Sequence, residues 1–147
     1  MIVGTFASLS MDPALVTFSV THTSTSWPKI AKADRFGISL LAEGQQHICR
    51  TLSAKGEDKL STLDWSESEW GTPHINGSLA WFDCQLEQQI TAGDHLIVIA
   101  EAEGFASGAV EAGVSGSATS TAASPSEATG PGSEGPRPLR STPAQVD

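Results

Sequence analysis

Between Ser78 and Ile90 the side chains alternate: Ala80, Phe82, Cys84, Leu86 and Ile90 fall on one face, and Asp83, Gln85, Glu87 and Gln89 on the other. A period of two over that length is the pattern of a half-buried strand. Thr91-Ala92-Gly93-Asp94 supplies a turn, and His95 to Glu103 returns as a second strand that is apolar on both faces at its centre, through Leu96, Ile97, Val98 and Ile99. A long antiparallel hairpin with one arm covered on both sides demands further strands to wrap it. It restricts the chain to a mainly β architecture of the barrel kind.

The rest of the sequence offers those strands. Met1-Ile2-Val3 and Ala14 to Val20 are β-runs, and Arg35 to Leu41 reads as a buried strand through Phe36, Ile38, Leu40 and Leu41. Two short helices are expected. Hydroxyl residues followed by Pro28 open one over about Trp27 to Ala33. Ile48 and Leu52, four apart, mark the other within Glu43 to Leu52. Ser53 to Leu60 is a charged loop in which Lys59 reads as solvated. Asp64 to Gly77 reads as a loop broken by Gly71, Pro73 and Asn76-Gly77, with Trp65 and Trp70 packing onto the barrel and His74 at the surface. From Ser107 onward Gly, Ser, Ala, Thr and Pro dominate without periodicity, and no aromatic residue follows Phe105. That composition predicts one domain over residues 1–106 and a disordered tail over 107–147.

With 147 residues, 39% of them hydrophobic, the chain can build one modest core but not two. A net charge of −9 argues against a nucleic-acid or anionic-membrane surface. No apolar run is long enough to span a bilayer and no basic-then-apolar leader is present, so the expectation is a soluble, cytoplasmic protein. Cys49 and Cys84 form no C-x-x-C pair; despite His47 two residues away, they read as structural cysteines rather than zinc ligands. No Ser-His-Asp set, carboxylate pair or metal cluster favours a hydrolase or metalloenzyme, and no G-x-G-x-x-G follows a strand.

The chemistry-bearing stretch is Gly4-Thr5-Phe6-Ala7-Ser8-Leu9-Ser10-Met11-Asp12-Pro13, where small residues and hydroxyls interrupt the β pattern before a turn at Asp12-Pro13. Read as a polar connection between strands, it places Thr5, Ser8 and Ser10 beside unpaired backbone N–H groups, an arrangement suited to the edge of a planar ligand with many acceptors, such as a flavin ring. A Ser/Thr-rich loop without a ligand is the other reading of the same residues. Thr23, Ser24, Thr25 and Ser26, with the N–H groups of the helix they precede, form a seat suited to a phosphate, although capping alone needs only one of those hydroxyls.

The order G-T-F-A-S-L-S-M-D-P, T-S-T-S-W-P-K-I (Thr23 to Ile30), R-F-G-I-S-L-L (Arg35 to Leu41) and A-G-D-H (Ala92 to His95) resembles the flavin reductase-like family of FMN-binding split barrels, which includes the reductase components of two-component monooxygenases. The resemblance covers roughly Met1 to Phe105. It implies a split β-barrel, FMN or FAD as cofactor, NADH or NADPH as co-substrate, a homodimer with flavin near its interface, and an oxygenase partner. It implies flavin contacts from Val3, Gly4, Thr5, Phe6, Ser8, Leu9 and Ser10, with backbone of Ala7, and from Ser24, Thr25, Ser26 and Lys59. Gly93, Asp94 and His95 match the G-D-H motif associated with the pyridine nucleotide. The scarcity of Arg and Lys in the folded part leans towards NADH over NADPH.

Two departures from the family pattern shape the remaining expectations. Ser39 stands where relatives often carry asparagine. Relatives usually place a helix and strand before the segment matching Met1-Ile2-Val3, and a further strand after the hairpin, so the barrel is expected to be clipped at both ends; Pro136-Arg137-Pro138-Leu139 resembles the lead-in to that last strand without a strand following it. A non-catalytic flavin-binding module and an inactive remnant are the competing readings.

Overall fold

Strands β1 (Ile2–Val3) and β2 (Phe6–Met11) are separated by only Gly4 and Thr5, yet they occupy opposite ends of one seven-stranded antiparallel sheet. Two residues span only about 7 Å, so the sheet must curl until its ends nearly meet. That curl is the barrel, and the seam between β1 and β2 is its split. The computed structural model describes residues 1–56, 58–107 and 119–123.

The remaining strands of the sheet are β3 (Ala14–Thr21), β4 (Phe36–Leu41), β7 (Ala80–Ala92), β8 (His95–Ser107) and β9 (Thr119–Ala123), in the spatial order β1-β9-β4-β7-β8-β3-β2. A small hairpin, β5 (Trp65–Glu67) with β6 (Pro73–Ile75), lies against β4. The two helices are α1 (Trp27–Ile30) and α2 (Gln46–Ser53), the latter preceded by a 3-10 turn at Glu43–Gln45. The mainly β class, the hairpin and the two helices stand as the sequence predicts. The first helix closes at Ile30, and backbone bonds to Ala31 and Ala33 continue it only as turns.

Alternation on β4 builds two cores at once. Phe36 and Ile38 enter the barrel core with Phe18, Trp27, Cys84 and Val98, where Phe18, Trp27 and Phe36 pack edge to face at 5.5–6.2 Å. On the opposite face Leu41 joins Ile48, Leu52, Leu60 and Ile75 in a second cluster that attaches α2 and the 60–75 segment. On that face Gly37 meets β6 so closely that a Cβ would lie 2.5 Å from the Pro73 carbonyl oxygen. Ser39, buried, accepts the Ile75 N–H at 3.0 Å.

Three expectations are corrected. The Gly4–Ser10 stretch is a strand from Phe6 rather than a loop, because its residues pair with β3 at Phe6↔Phe18 through Met11↔Ala14, with an irregularity between Ser8 and Ser10 absorbing the polar interruption. Asp83 does lie on the face away from Cys84, but that face is roofed by residues 68–74 and the carboxylate is buried. Disorder from 107 on is not what the chain does throughout: β8 runs to Ser107, and Thr119–Ala123 inserts between β1 and β4, supplying a strand where the barrel was expected to be clipped. Ser, Thr and Ala carry no periodic signal, so only pairing partners reveal such a strand. Residues 108–118 and 124–147, including Pro136 to Leu139, lie outside the described residues.

Candidate functional site

The curl leaves a cleft of about 760 Å³ along the seam, within the range of about 300–1,000 Å³ common to ligand pockets. Four segments meet there: Met1 to Gly4, the end of β3 with Thr23 to Ser26, the C-terminal end of α2 with the loop to Lys59, and His95 at the start of β8. Met1, Val3, Val20 and Leu52 give it an apolar floor. Its charged side chains are Lys55 and Lys59, His95 adds an imidazole, and no Asp or Glu lines it among the described residues. In a chain of net charge −9, a cleft with only cationic groups selects an anionic occupant.

Several expected residues converge in this cleft: Val3, Gly4, Ser24, Thr25, Ser26, Lys59 and His95. Thr5, Phe6, Ser8, Leu9, Ser10, Gly93 and Asp94 do not line it. Thr5 acts behind the wall, its Oγ1 accepting the backbone N–H of Ser19, a lining residue, at 3.0 Å. Phe6 packs on Phe82 with ring centres 5.2 Å apart. Ser8 and Leu9 are exposed on β2, the terminal strand of the sheet order.

The phosphate seat differs in kind from the one expected. The N–H of Trp27 is taken by Ser24 Oγ at 3.1 Å, Pro28 has none, and the Lys29 N–H bonds the Ser26 carbonyl. The start of α1 therefore has no donor left over in its first turn. The hydroxyls of Thr25 and Ser26 remain, because neither is used as a cap. Lys59 is half-buried rather than solvated. Its Nζ donates to the Leu52 carbonyl at the end of α2 (3.2 Å), which places the ammonium at the cleft and leaves two further N–H donors.

His95 is set by its neighbour. Gly93, at φ +62, lets a two-residue turn join Ala92 to His95. The Nδ1–H of His95 then donates to Asp94 Oδ1 at 2.7 Å, and that hydrogen bond holds the Asp94 carboxyl below the ordinary carboxylate range. The Asp94 carbonyl also accepts the His22 N–H, tying the turn to the end of β3. With Nδ1 engaged, Nε2 is the nitrogen left for a ligand.

A second polar centre, which sequence reading missed, lies outside the cleft. Asp83 accepts hydrogen bonds from Ser68 Oγ (2.6 Å), Thr72 Oγ1 and His74 Nε2 (3.2 Å). His74, expected at the surface, is mostly buried, and burial pushes its pKa down against the opposing pull of Asp83. Close by, Arg35 forms a two-pronged bond with Glu103 (2.5 and 3.1 Å) and lies 4.8 Å from the Trp70 ring centre. These contacts fasten the 65–75 hairpin over β4 and β7. The partners of Asp83 are nine to fifteen residues away in sequence, and no local pattern announces them. Cys84 is a core thiol pushed up to about 12 by burial, Cys49 is half-buried, and no metal-binding cluster occurs among the described residues.

A curled, seam-split antiparallel sheet with a lysine-lined cleft at the seam has the form of a split barrel. The match to the flavin reductase like domain over residues 1–114 places it: the chain belongs to that family. It is 46% identical over 99 residues to a flavin reductase of Pseudomonas putida, covering 67% of this chain and 58% of that one. It is 44% identical over 92 residues to the reductase subunit HsaB of a flavin-dependent monooxygenase of Rhodococcus jostii, covering 63% and 47%. Among solved structures it matches the NADH:FAD oxidoreductase SgcE6 of Streptomyces globisporus with TM-score 0.68 and 28% identity over 71% of this chain and 65% of that one. It matches a nitrilotriacetate monooxygenase component B of Mycobacterium thermoresistibile with TM-score 0.67 and 32% identity over 92% and 74%. The chain spans between 33% and 58% of the length of the first three curated relatives.

Proposed function

We propose that this chain is the core of an NAD(P)H-dependent flavin reductase that binds FMN or FAD in the seam cleft and supplies reduced flavin to a partner monooxygenase. The observation that carries the reading is the convergence of Val3, Gly4, Thr25, Ser26, Lys59 and His95 from four separate segments on one cationic cleft. The relatives named as flavin reductases and monooxygenase reductase subunits support it.

When bound, nicotinamide and flavin supply the hydride chemistry between themselves. The chain's own groups bind and orient. Lys59, held by the Leu52 carbonyl, points its remaining N–H donors at a phosphate, with the Thr25 and Ser26 hydroxyls beside it. Met1, Val3 and Val20 would exclude water from the apolar part of a bound flavin. Phe6, Ser8, Leu9 and Ser10 contribute through the β2 edge, whose side away from β3 pairs with no described strand, and Thr5 through its bond to Ser19. His95, fixed by Asp94, offers Nε2 to the amide or diphosphate of the nicotinamide nucleotide.

A second copy of the chain completes the assembly as a homodimer, and the setting is the cytoplasm; among the described residues no helix is long and apolar enough to cross a membrane. The working domain extends to β9, since β1 and β4 both depend on it. The test is NADH oxidation by the purified chain with and without FMN, then FAD. Flavin-dependent consumption is expected. Flavin binding without consumption reduces the assignment to a binding module, and neither signal overturns it.

A further inference from the structure

The cleft carries one cation more than a single phosphate requires. Lys59 is already anchored at the end of α2, beside the hydroxyls of Thr25 and Ser26. Lys55 also lines the cleft, four residues earlier on the exposed stretch that follows α2. Among the described residues it has no hydrogen-bond or ion-pair partner, and none of the described acidic side chains lines the cleft. An unpaired ammonium on a flexible stem is a point charge able to follow a phosphate.

We propose that Lys55 is the specificity residue by which this cleft takes a flavin bearing a diphosphate, FAD, in preference to the monophosphate FMN. The assignment rests on the flavin reading of the cleft and goes beyond it by choosing between the two cofactors. Lys59 and the two hydroxyls hold the phosphate that both flavins share. Lys55 meets the second phosphate, which only the dinucleotide has. Because Lys55 is exposed, its contribution is that of a solvent-screened pair, about fivefold in affinity, and it weakens as salt rises.

The experiment titrates the full chain with riboflavin, FMN and FAD, read by flavin fluorescence. Wild type, Lys55→Gln, Lys55→Arg and Lys59→Gln are compared at low and high ionic strength. The expected result is that Lys55→Gln weakens FAD about fivefold while FMN and riboflavin hold nearly steady. Lys55→Arg retains the FAD preference, and Lys59→Gln weakens FMN and FAD alike while sparing riboflavin. Equal loss of FMN and FAD in Lys55→Gln, or no change in either, overturns the role of Lys55 while leaving the flavin reading in place. A wild-type chain that binds none of the three flavins removes the flavin reading and this assignment with it.

Discussion

Asp83→Ala is the substitution whose consequence the structure sets most tightly. One buried carboxylate accepts Ser68 Oγ, Thr72 Oγ1 and His74 Nε2, and no water-facing surface substitutes for it. A hydrogen bond to a charged group contributes about 1.5–3 kcal/mol, so three would sum to about 4.5–9 kcal/mol if each donor were left stranded. They are not all stranded. Ser68 Oγ already lies 3.2 Å from Thr72 Oγ1, and the two hydroxyls can satisfy one another once the carboxylate is gone. With about two of the three bonds then uncompensated, the loss settles near about 3–5 kcal/mol. With an m-value of about 1–3 kcal/mol/M, the urea midpoint falls by roughly 1–5 M. Urea unfolding followed by tryptophan fluorescence reads it directly, since Trp70 and Trp81 border the cluster. Asp83→Asn, which keeps one acceptor oxygen, should lose visibly less. A loss below about 1 kcal/mol in Asp83→Ala would show that the 65–75 hairpin is fastened by something other than this carboxylate.

Three other outcomes follow from the geometry. Gly37→Ala drives a methyl group to 2.5 Å from the Pro73 carbonyl oxygen and should destabilise the fold by about 1–3 kcal/mol, measured by thermal unfolding. His74 is held below its ordinary pKa by burial. The unfolded chain therefore takes up its proton first, and stability present above about pH 6.5 declines as the pH falls towards the folded value; His74→Gln should flatten that part of the stability–pH curve. His95→Ala should raise the KM for NADH severalfold with little change in flavin affinity. Asp94→Asn should do so more mildly, because the ring loses its carboxylate anchor but remains in place; steady-state kinetics with flavin titration separates the two effects.

Much of the fold was legible because its strands obey their period. β7, β8 and β4 were announced by alternation and by apolar density, and the G-D turn by its glycine. What stayed hidden depended on contacts far apart in sequence. Asp83 was assigned to the correct face, but only the hairpin folded over that face makes it buried. β9 consists of Thr, Ser and Ala, which become a strand only because β1 and β4 offer edges on either side. Of the cleft lining, Ser24 to Ser26, Lys59 and His95 were already candidates in the sequence. That Ser24 is consumed as a cap, and that Lys55 joins Lys59, needed the three-dimensional arrangement.

The two-residue link between β1 and β2 has a consequence for the order of assembly. β1 finds its partner in β9, with Ile2 opposite Thr121, so β1 waits for a strand more than a hundred positions further along the chain. The β2–β3 and β7–β8 hairpins can zip from their own turns as soon as they exist. Pairing of β1 with β9 cannot, and must be made against the entropy of the chain between them. Until then β1 and β4 present bare edges to any other chain nearby. The slow step of folding and the period of greatest exposure to misassociation thus coincide at the seam where the cleft forms.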